Sequence, residues 1–181
     1  ANKDLAYNLA NFLTRIQNSA TSLFFAKLPA GGSPGEAEAE LQATCKTLMD
    51  TLGGHLHKLE FRKAAEALCA LWTAGNQYID VRAPWALFKQ DKAEAALVIR
   101  TCINLIRLYG IAAAPFIPFT ADKRFDALHL SDAERNTPFA ESVDLSRLQP
   151  ERAFDVPPPL FQKLDDERIA ELKAQFGGES D

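Results

Sequence analysis

Apolar residues recur at intervals of three and four along most of the chain, which is the spacing of one face of an α-helix. No stretch of any length shows the alternation of a half-buried strand. Long helices joined by modest loops are typical of an up-and-down helical bundle, so we expect an all-α fold. The predicted helices cover roughly residues 4–27, 36–52, 61–81, 92–113, 119–128 and 166–176.

The hydrophobic pattern and the proline content of the chain change near residue 130. Residues 1–130 carry the regular helical pattern, and the fourth predicted helix is apolar almost all round, as a central helix would be. Residues 131–181 are rich in proline and sparse in apolar positions. We expect this part to be an extended tail that wraps over the bundle and ends in a short helix. Phe139, Phe154 and Phe161 are its predicted anchors.

A proline interrupts the helical pattern at the end of the third predicted helix. Pro84 cannot continue an uninterrupted helix, and it pushes Ala83 toward extended geometry. Trp85 therefore falls on a corner, where one face of its ring can stay open to a partner such as an unstacked base. The alternative is a tryptophan that packs the corner between helices, which is the common role of the residue.

A polar stripe follows one face of the first predicted helix. Asn11 and Arg15 lie one turn apart on it, and Asn8 shares the face. An amide and a planar guanidinium together offer the donors and acceptors that read the edge of a cytosine-type base. The alternative is an ordinary solvated face. The stripe is completed by Asp4, Asn18 and Ser22.

Composition restricts the partners. The 181 residues carry 24 acidic and 20 basic side chains, a net charge of −4, so generic attraction to nucleic acid is excluded and any RNA contact has to be local. No apolar run reaches the roughly 18 residues of a membrane span, which predicts a soluble protein. The three widely spaced cysteines, Cys45, Cys69 and Cys102, predict buried thiols in a reducing cytoplasm.

The sequence offers no catalytic or metal-binding pattern. His55 and His57 form a His-x-His pair, but no third ligand follows at useful spacing. No glycine-rich phosphate loop, nucleophile elbow or pair of catalytic carboxylates is visible. Asp80 and Arg82 precede the corner and either support it by hydrogen bonds or form an ordinary surface pair.

Two segments resemble one family. Residues 76–89 read Asn-x-Tyr-Ile-Asp-x-x-Ala-Pro-Trp-x-Leu-x-Lys, and residues 9–15 contain Asn11 and Arg15 at a spacing of four. Both resemble the helical anticodon-binding domain of the methionyl-tRNA synthetases, which are class I aminoacyl-tRNA synthetases. The resemblance covers residues 5–128 and, more loosely, residues 156–164.

The resemblance implies a role for each matching residue. Trp85 is expected to stack on the first anticodon base, and Asn11 and Arg15 to read an anticodon base. Supporting roles fall to Asn8, Pro84 and Asp80.

The resemblance also implies the function of a longer protein. The chain would recognise the CAU anticodon of methionine tRNA, and the whole enzyme would join methionine to that tRNA with ATP and Mg²⁺. The family's catalytic signatures are absent and no initiator methionine is present, so we expect a fragment without the catalytic domain and without a cofactor of its own. Its expected partners are methionine tRNA and that catalytic domain, with no DNA and no membrane.

Two alternatives stay open from the sequence. One is the equivalent domain of another class I synthetase, such as the cysteine or isoleucine enzyme. The other is a helical protein-interaction module in which Trp85 anchors a partner.

The missing nucleotide-binding motifs generate a first prediction. The purified 181-residue chain should neither activate methionine nor form aminoacyl-tRNA. The measurement is methionine-dependent pyrophosphate exchange, with a full-length methionyl-tRNA synthetase as positive control. Exchange by the chain above the buffer rate would contradict the prediction.

Overall fold

The fold of the chain is described by a computed structural model. It covers residues 27–155 and 166–176, together with Leu9, Phe12, Leu13, Arg15, Ile16, Ser19 and Phe24, and it describes the side chains of the last helix from Arg168 onward. The described residues before Lys27 are all helical. The later helices are α1 (Glu36–His57), α2 (Phe61–Arg82), α3 (Pro84–Leu87), α4 (Lys92–Ala113), α5 (Pro118–Ala127), α6 (Asp132–Arg135) and α7 (Asp166–Phe176), with a 3₁₀ turn at Phe139–Glu141.

The predicted all-α class is confirmed. Within the described part of the chain, the backbone pairing of β type is limited to an isolated bridge between Lys27 and Ala153. The predicted bounds of α2, α4, α5 and α7 agree closely with the observed ones, whereas most of the first predicted helix, residues 4–27, lies outside the described residues.

The predicted end of α1 is wrong, because the helix continues through Gly53 and Gly54 to His57. Helix-interior glycines are unfavourable by up to about 1 kcal/mol each. Burial of Leu52 and packing of Leu56 against the core outweigh that preference here. The helix ends at His57, and Leu59, whose backbone is left-handed with a φ of 58°, then turns the chain away.

Helix α4 lies at the centre of the bundle. Contrary to our expectation for any stretch of this chain, it is long and apolar enough to span a membrane by length and composition alone. In the fold, 94% of that apolar window is buried inside the protein, which makes α4 a core helix. Its first turn is capped by Asp91, whose carboxylate accepts the N–H groups of Ala93 and Glu94 at 3.0 Å each.

Two polar side chains of α4 fasten the segment that follows the bundle. The fully buried Arg107 donates from Nη2 to the carbonyl oxygens of Ser142 at 2.5 Å and Asp144 at 3.0 Å. The Asn104 amide accepts the N–H of Leu148 at 2.8 Å and donates to its carbonyl at 3.4 Å. Burial lowers the pKa of Arg107 to about 10, so the guanidinium is still charged at neutral pH.

The tail packs on the bundle as far as the structure describes it. Phe154 is buried in the core and Phe139 packs against it, while the third predicted anchor, Phe161, lies outside the described residues. Arg152 donates to both carboxylate oxygens of Glu134, at 2.6 and 3.1 Å. This pair joins the later part of the tail to α6, which is the first helix of the tail itself.

Two helical glycines make a matched test of packing. A Cβ on Gly75 would stand 1.9 Å from the Tyr109 hydroxyl, which is itself held by donating to the Leu71 carbonyl at 3.1 Å. A Cβ on Gly54 would meet nothing within 4 Å. We expect Gly75→Ala to lower the free energy of unfolding by about 1–3 kcal/mol through overpacking. Gly54→Ala should raise it by about 0.5–1 kcal/mol, because alanine is the better helix former.

The two variants are compared with the parent chain by urea unfolding followed by circular dichroism. Equal effects of the two substitutions would show that the packing around Gly75 is looser than described.

Candidate nucleic-acid interface

The corner after α2 is built by a left-handed alanine. Ala83 has φ 38° and ψ 64°, so the expected extended geometry is wrong. Its N–H donates to the Ile79 carbonyl at 2.9 Å and completes the last turn of α2, and the left-handed backbone then reverses the chain at once. Pro84 starts α3 at the first helical position, where no N–H is needed. Left-handed geometry costs a non-glycine residue roughly 1–2 kcal/mol.

Three of the predicted site residues meet beside this corner. Trp85 keeps 43% of its surface exposed. The guanidinium carbon of Arg15, from the N-terminal helical residues, stands 4.9 Å from the centroid of the Trp85 ring. The same guanidinium forms an ion pair with the Asp80 carboxylate, with Nη2 and Oδ1 2.6 Å apart. The fold therefore brings a cation from near the start of the chain to a carboxylate and an aromatic ring that are neighbours in sequence at the corner.

These contacts orient Arg15 more than they stabilise the fold. The Arg15 side chain is 24% exposed and that of Asp80 is 61% exposed. Solvent-accessible ion pairs are worth about 0.2–1 kcal/mol, and exposed cation–π contacts about 0.5–1 kcal/mol. A ligand that offers Arg15 a better acceptor can therefore draw the guanidinium away at little cost.

The other predicted site residues have different outcomes. Pro84 is buried and starts α3 directly before the tryptophan. Asn8 and Asn11 lie outside the described residues, so their roles remain predictions. Asp80 and Arg82 turn to different partners, since Arg82 forms ion pairs with Glu38 and Glu94.

The sequence analysis missed the network around Arg82. Glu38 is buried, accepts the Tyr78 hydroxyl at 2.6 Å and lies 3.4 Å from Arg82 Nη2. Glu94, at the start of α4, also accepts a hydrogen bond from Arg82. The sequence did contain a signal, because Glu38 and Tyr78 place polar groups on apolar helix faces. Spacing along the sequence does not tell which acidic side chain meets which basic one.

The described residues do not fit a metal ion. Within them, no group of three or more His, Cys, Asp and Glu side chains is placed to hold a metal ion. The His55 ring hydrogen-bonds to the Glu60 carboxylate, with Nδ1 and Oε2 2.7 Å apart. Cys45 and Cys102 are buried, and burial raises the pKa of Cys45 to about 12, so that thiol is not a nucleophile. We therefore assign no step involving ATP or Mg²⁺ to these residues.

Comparison with known proteins agrees with this helical fold. Residues 28–181 match the family described as the anticodon binding domain of methionyl tRNA ligase. Methionine–tRNA ligase 1 of Acaryochloris marina is 60% identical over 98% of this chain and 32% of its own length. Methionine–tRNA ligase of Caulobacter vibrioides is 43% identical over 98% of this chain and 31% of its own.

Solved structures agree in fold. The apo form of Mycobacterium tuberculosis methionyl-tRNA synthetase superposes with a TM-score of 0.79 at 25% identity, over 91% of this chain and 33% of that one. Its complex with methionyl-adenylate gives 0.79 at 26% identity, over 90% of this chain and 32% of the other.

These matches define a helical anticodon-binding domain. The chain belongs to the family of anticodon-binding domains of methionyl-tRNA ligases, and it spans about a third of the length of the relatives it matches. The alternative assignment to a cysteine or isoleucine enzyme has no support among these matches.

The contact between Arg15 and Trp85 can be tested without RNA. Arg15→Met should raise the rate at which acrylamide quenches tryptophan fluorescence, because the guanidinium no longer covers the Trp85 ring. Trp72 has no exposed surface and contributes little to quenching. Stern–Volmer plots check this, with Trp85→Phe identifying the signal.

Arg135→Met is the matched control, because Arg135 stands 6.0 Å from the ring of Phe125 instead. Equal quenching in the parent chain and Arg15→Met would mean that the guanidinium does not cover Trp85.

Proposed function

We propose that this chain recognises the CAU anticodon of methionine tRNA through the surface formed by Arg15 and Trp85. The proposal rests chiefly on one observation, which is the half-exposed indole on a corner with an arginine guanidinium against its ring. Membership of the family of anticodon-binding domains supports it.

An anticodon base would stack on the open part of Trp85. Base–aromatic stacking needs only a π-face and contributes about 1–3 kcal/mol per base. The fork of Arg15 lies next to the ring and would donate to acceptors on the edge of that base or its neighbour. Asp80 holds the fork by one oxygen before RNA arrives. Asn11, with Asn8 in support, would supply the amide that reads the remaining donor or acceptor.

The charge of the chain fits short-range recognition. A net charge of −4 provides little attraction for phosphates at a distance, so the anticodon would be held by stacking and base-edge contacts. Most of the binding energy for the tRNA would then come from elsewhere in a longer protein. We accordingly expect a weak dependence of anticodon discrimination on salt.

We further propose the context of this domain. The relatives are methionine–tRNA ligases of about three times this length, which supports a whole protein that joins methionine to tRNA with ATP and Mg²⁺ in the cytoplasm. Its catalytic domain would be the permanent partner of this chain. Within the chain, residues 1–130 would carry the RNA-reading surface, and residues 131–181 would wrap and brace it.

The test uses the full-length ligase that contains this chain. Trp85→Ala and Arg15→Gln should each lower kcat/KM for methionine tRNA by one or two decades, equivalent to about 1–3 kcal/mol of lost base contact. Methionine activation should stay nearly unchanged. A change of anticodon should then lower kcat/KM by a smaller factor in these variants than in the wild type, because the side chain that reads the anticodon has already been removed.

Two matched controls come from the chain itself. Phe119→Ala removes an aromatic ring that is 82% exposed, and Arg135→Gln breaks an ion pair with Asp126 away from the corner. Neither should change charging. If wild type and variants lose the same factor on the altered tRNA, Trp85 and Arg15 do not read the anticodon. The remaining candidate is then a protein-interaction surface with Trp85 as its anchor.

A further inference from the structure

The corner that carries Trp85 is closed at its base by an ion pair. Arg82 is the last residue of α2, and Glu94 lies in the first turn of α4. The two side chains are joined by a hydrogen bond between Arg82 Nη2 and Glu94 Oε1. Residues 83–91, with Trp85 among them, therefore form a loop whose two ends are tied by this pair.

A third helix backs the pair. The Glu38 carboxylate of α1 is buried and accepts the Gly35 N–H at 2.8 Å and the Tyr78 hydroxyl at 2.6 Å, and it faces Arg82 at 3.4 Å. Burial acts to raise the pKa of Glu38, but these hydrogen bonds and the charge of Arg82 outweigh it and leave the pKa below its usual value. Arg82 is thus held between two carboxylates from two other helices.

The stability of the fold does not by itself explain this pair of contacts to Arg82. A partly buried ion pair is weak support for stability, because desolvation offsets much of the attraction. It does fix geometry, since α1, α2 and α4 converge on one guanidinium. The corner has a second attachment at Phe88, whose ring packs edge-on against Phe24 with centroids 5.5 Å apart. That contact lies three residues beyond Trp85, whereas Arg82 lies three before it.

We propose that Arg82 is a positioning residue for anticodon recognition, which it serves by holding the Trp85 corner against Arg15 through its pairs with Glu94 and Glu38. Arg82 does not touch the RNA in this proposal; it acts through Trp85. The inference has a structural half, that Arg82 holds the Trp85 corner, and a functional half, that this holding serves anticodon recognition. The functional half rests on the proposed function, whereas the structural half does not.

The structural half is tested by ¹⁹F NMR of the 181-residue chain labelled with 5-fluorotryptophan. Its two tryptophans give two signals, and Trp85→Phe assigns them. Trp72 is fully buried and serves as an internal report on the core. Arg82→Met and Glu94→Gln should each shift or broaden the Trp85 signal and leave the Trp72 signal in place. The double variant should add little, because either change already breaks the pair.

Two further variants sharpen the result. Arg82→Lys keeps the charge and should restore the Trp85 signal in part. Arg135→Met breaks the ion pair with Asp126 by removing an arginine about as exposed as Arg82, 26% against 21%, and should leave both signals unchanged.

The functional half is tested by charging kinetics of the full-length ligase. Arg82→Met should raise KM for methionine tRNA by about fivefold, less than Trp85→Ala does, with methionine activation unchanged. In the Trp85→Ala background, Arg82→Met should have no further effect, because its route to the RNA is gone.

Each outcome decides. An unchanged Trp85 signal in Arg82→Met overturns the inference whatever the RNA results. A shifted signal with effects on charging that add in the double variant also overturns it, because Arg82 then acts by another route. If Arg82→Met moves the Trp72 signal as well, the spectrum of Arg82→Lys distinguishes the two cases. A shift of the Trp85 signal alone in Arg82→Lys supports a positioning role, and a shift of both signals refutes it. If Trp85→Ala leaves charging unchanged, the proposed function fails, while the two ¹⁹F signals still decide whether Arg82 holds the corner.

Discussion

Helix α4 buries nearly all of its surface, so the rest of the structure has to cover it on every side. Helices α2 and α5 pack against it directly, and the N-terminal helical residues reach it through Phe12, whose ring packs edge-on against Tyr109 at 5.3 Å. Such close packing demands glycine where a neighbouring side chain lies against a helix backbone, as at Gly75 beside the Tyr109 hydroxyl. The bundle is therefore organised by one apolar helix that is stable only when enclosed.

The polar groups inside α4 explain how the following segment is placed. A buried amide or guanidinium needs hydrogen-bond partners, because an unpaired one costs about 1–3 kcal/mol. Asn104 and Nη2 of Arg107 find theirs in the backbone of residues 142–148, while Nε and Nη1 of Arg107 are buried without a partner among the described residues. The position of the segment after the bundle is thus set by hydrogen bonds to the polar side chains of α4 as well as by burial of its own apolar residues.

The candidate site lies at one end of the bundle, at the edge of the buried core. Trp85 stands on the turn between α2 and α4, at one end of the bundle, so its ring can stay half-exposed without opening the core. The strained Ala83, the ion pair between Arg82 and Glu94, and the packing of Phe88 all act on the same nine-residue turn. A binding site built on such a braced corner loses little entropy when it meets its ligand.

The sequence by itself determined the helices and the corner. Apolar spacing is a local property, so the bounds of α2, α4 and α7 follow from it, and Pro84 marks the break because its ring excludes helix continuation. The sequence also identified Trp85 and Arg15 as candidates. It did not determine the end of α1, where Leu52 and Leu56 carry the helix past two glycines, or the left-handed Ala83.

Only the tertiary structure decided the partners of the charges. Asp80 and Arg82 are two residues apart, but on a helix that spacing turns them to different sides. Asp80 consequently meets Arg15, and Arg82 meets Glu38 and Glu94. Helical periodicity specifies which face a side chain occupies, whereas its neighbour across that face depends on how the helices pack.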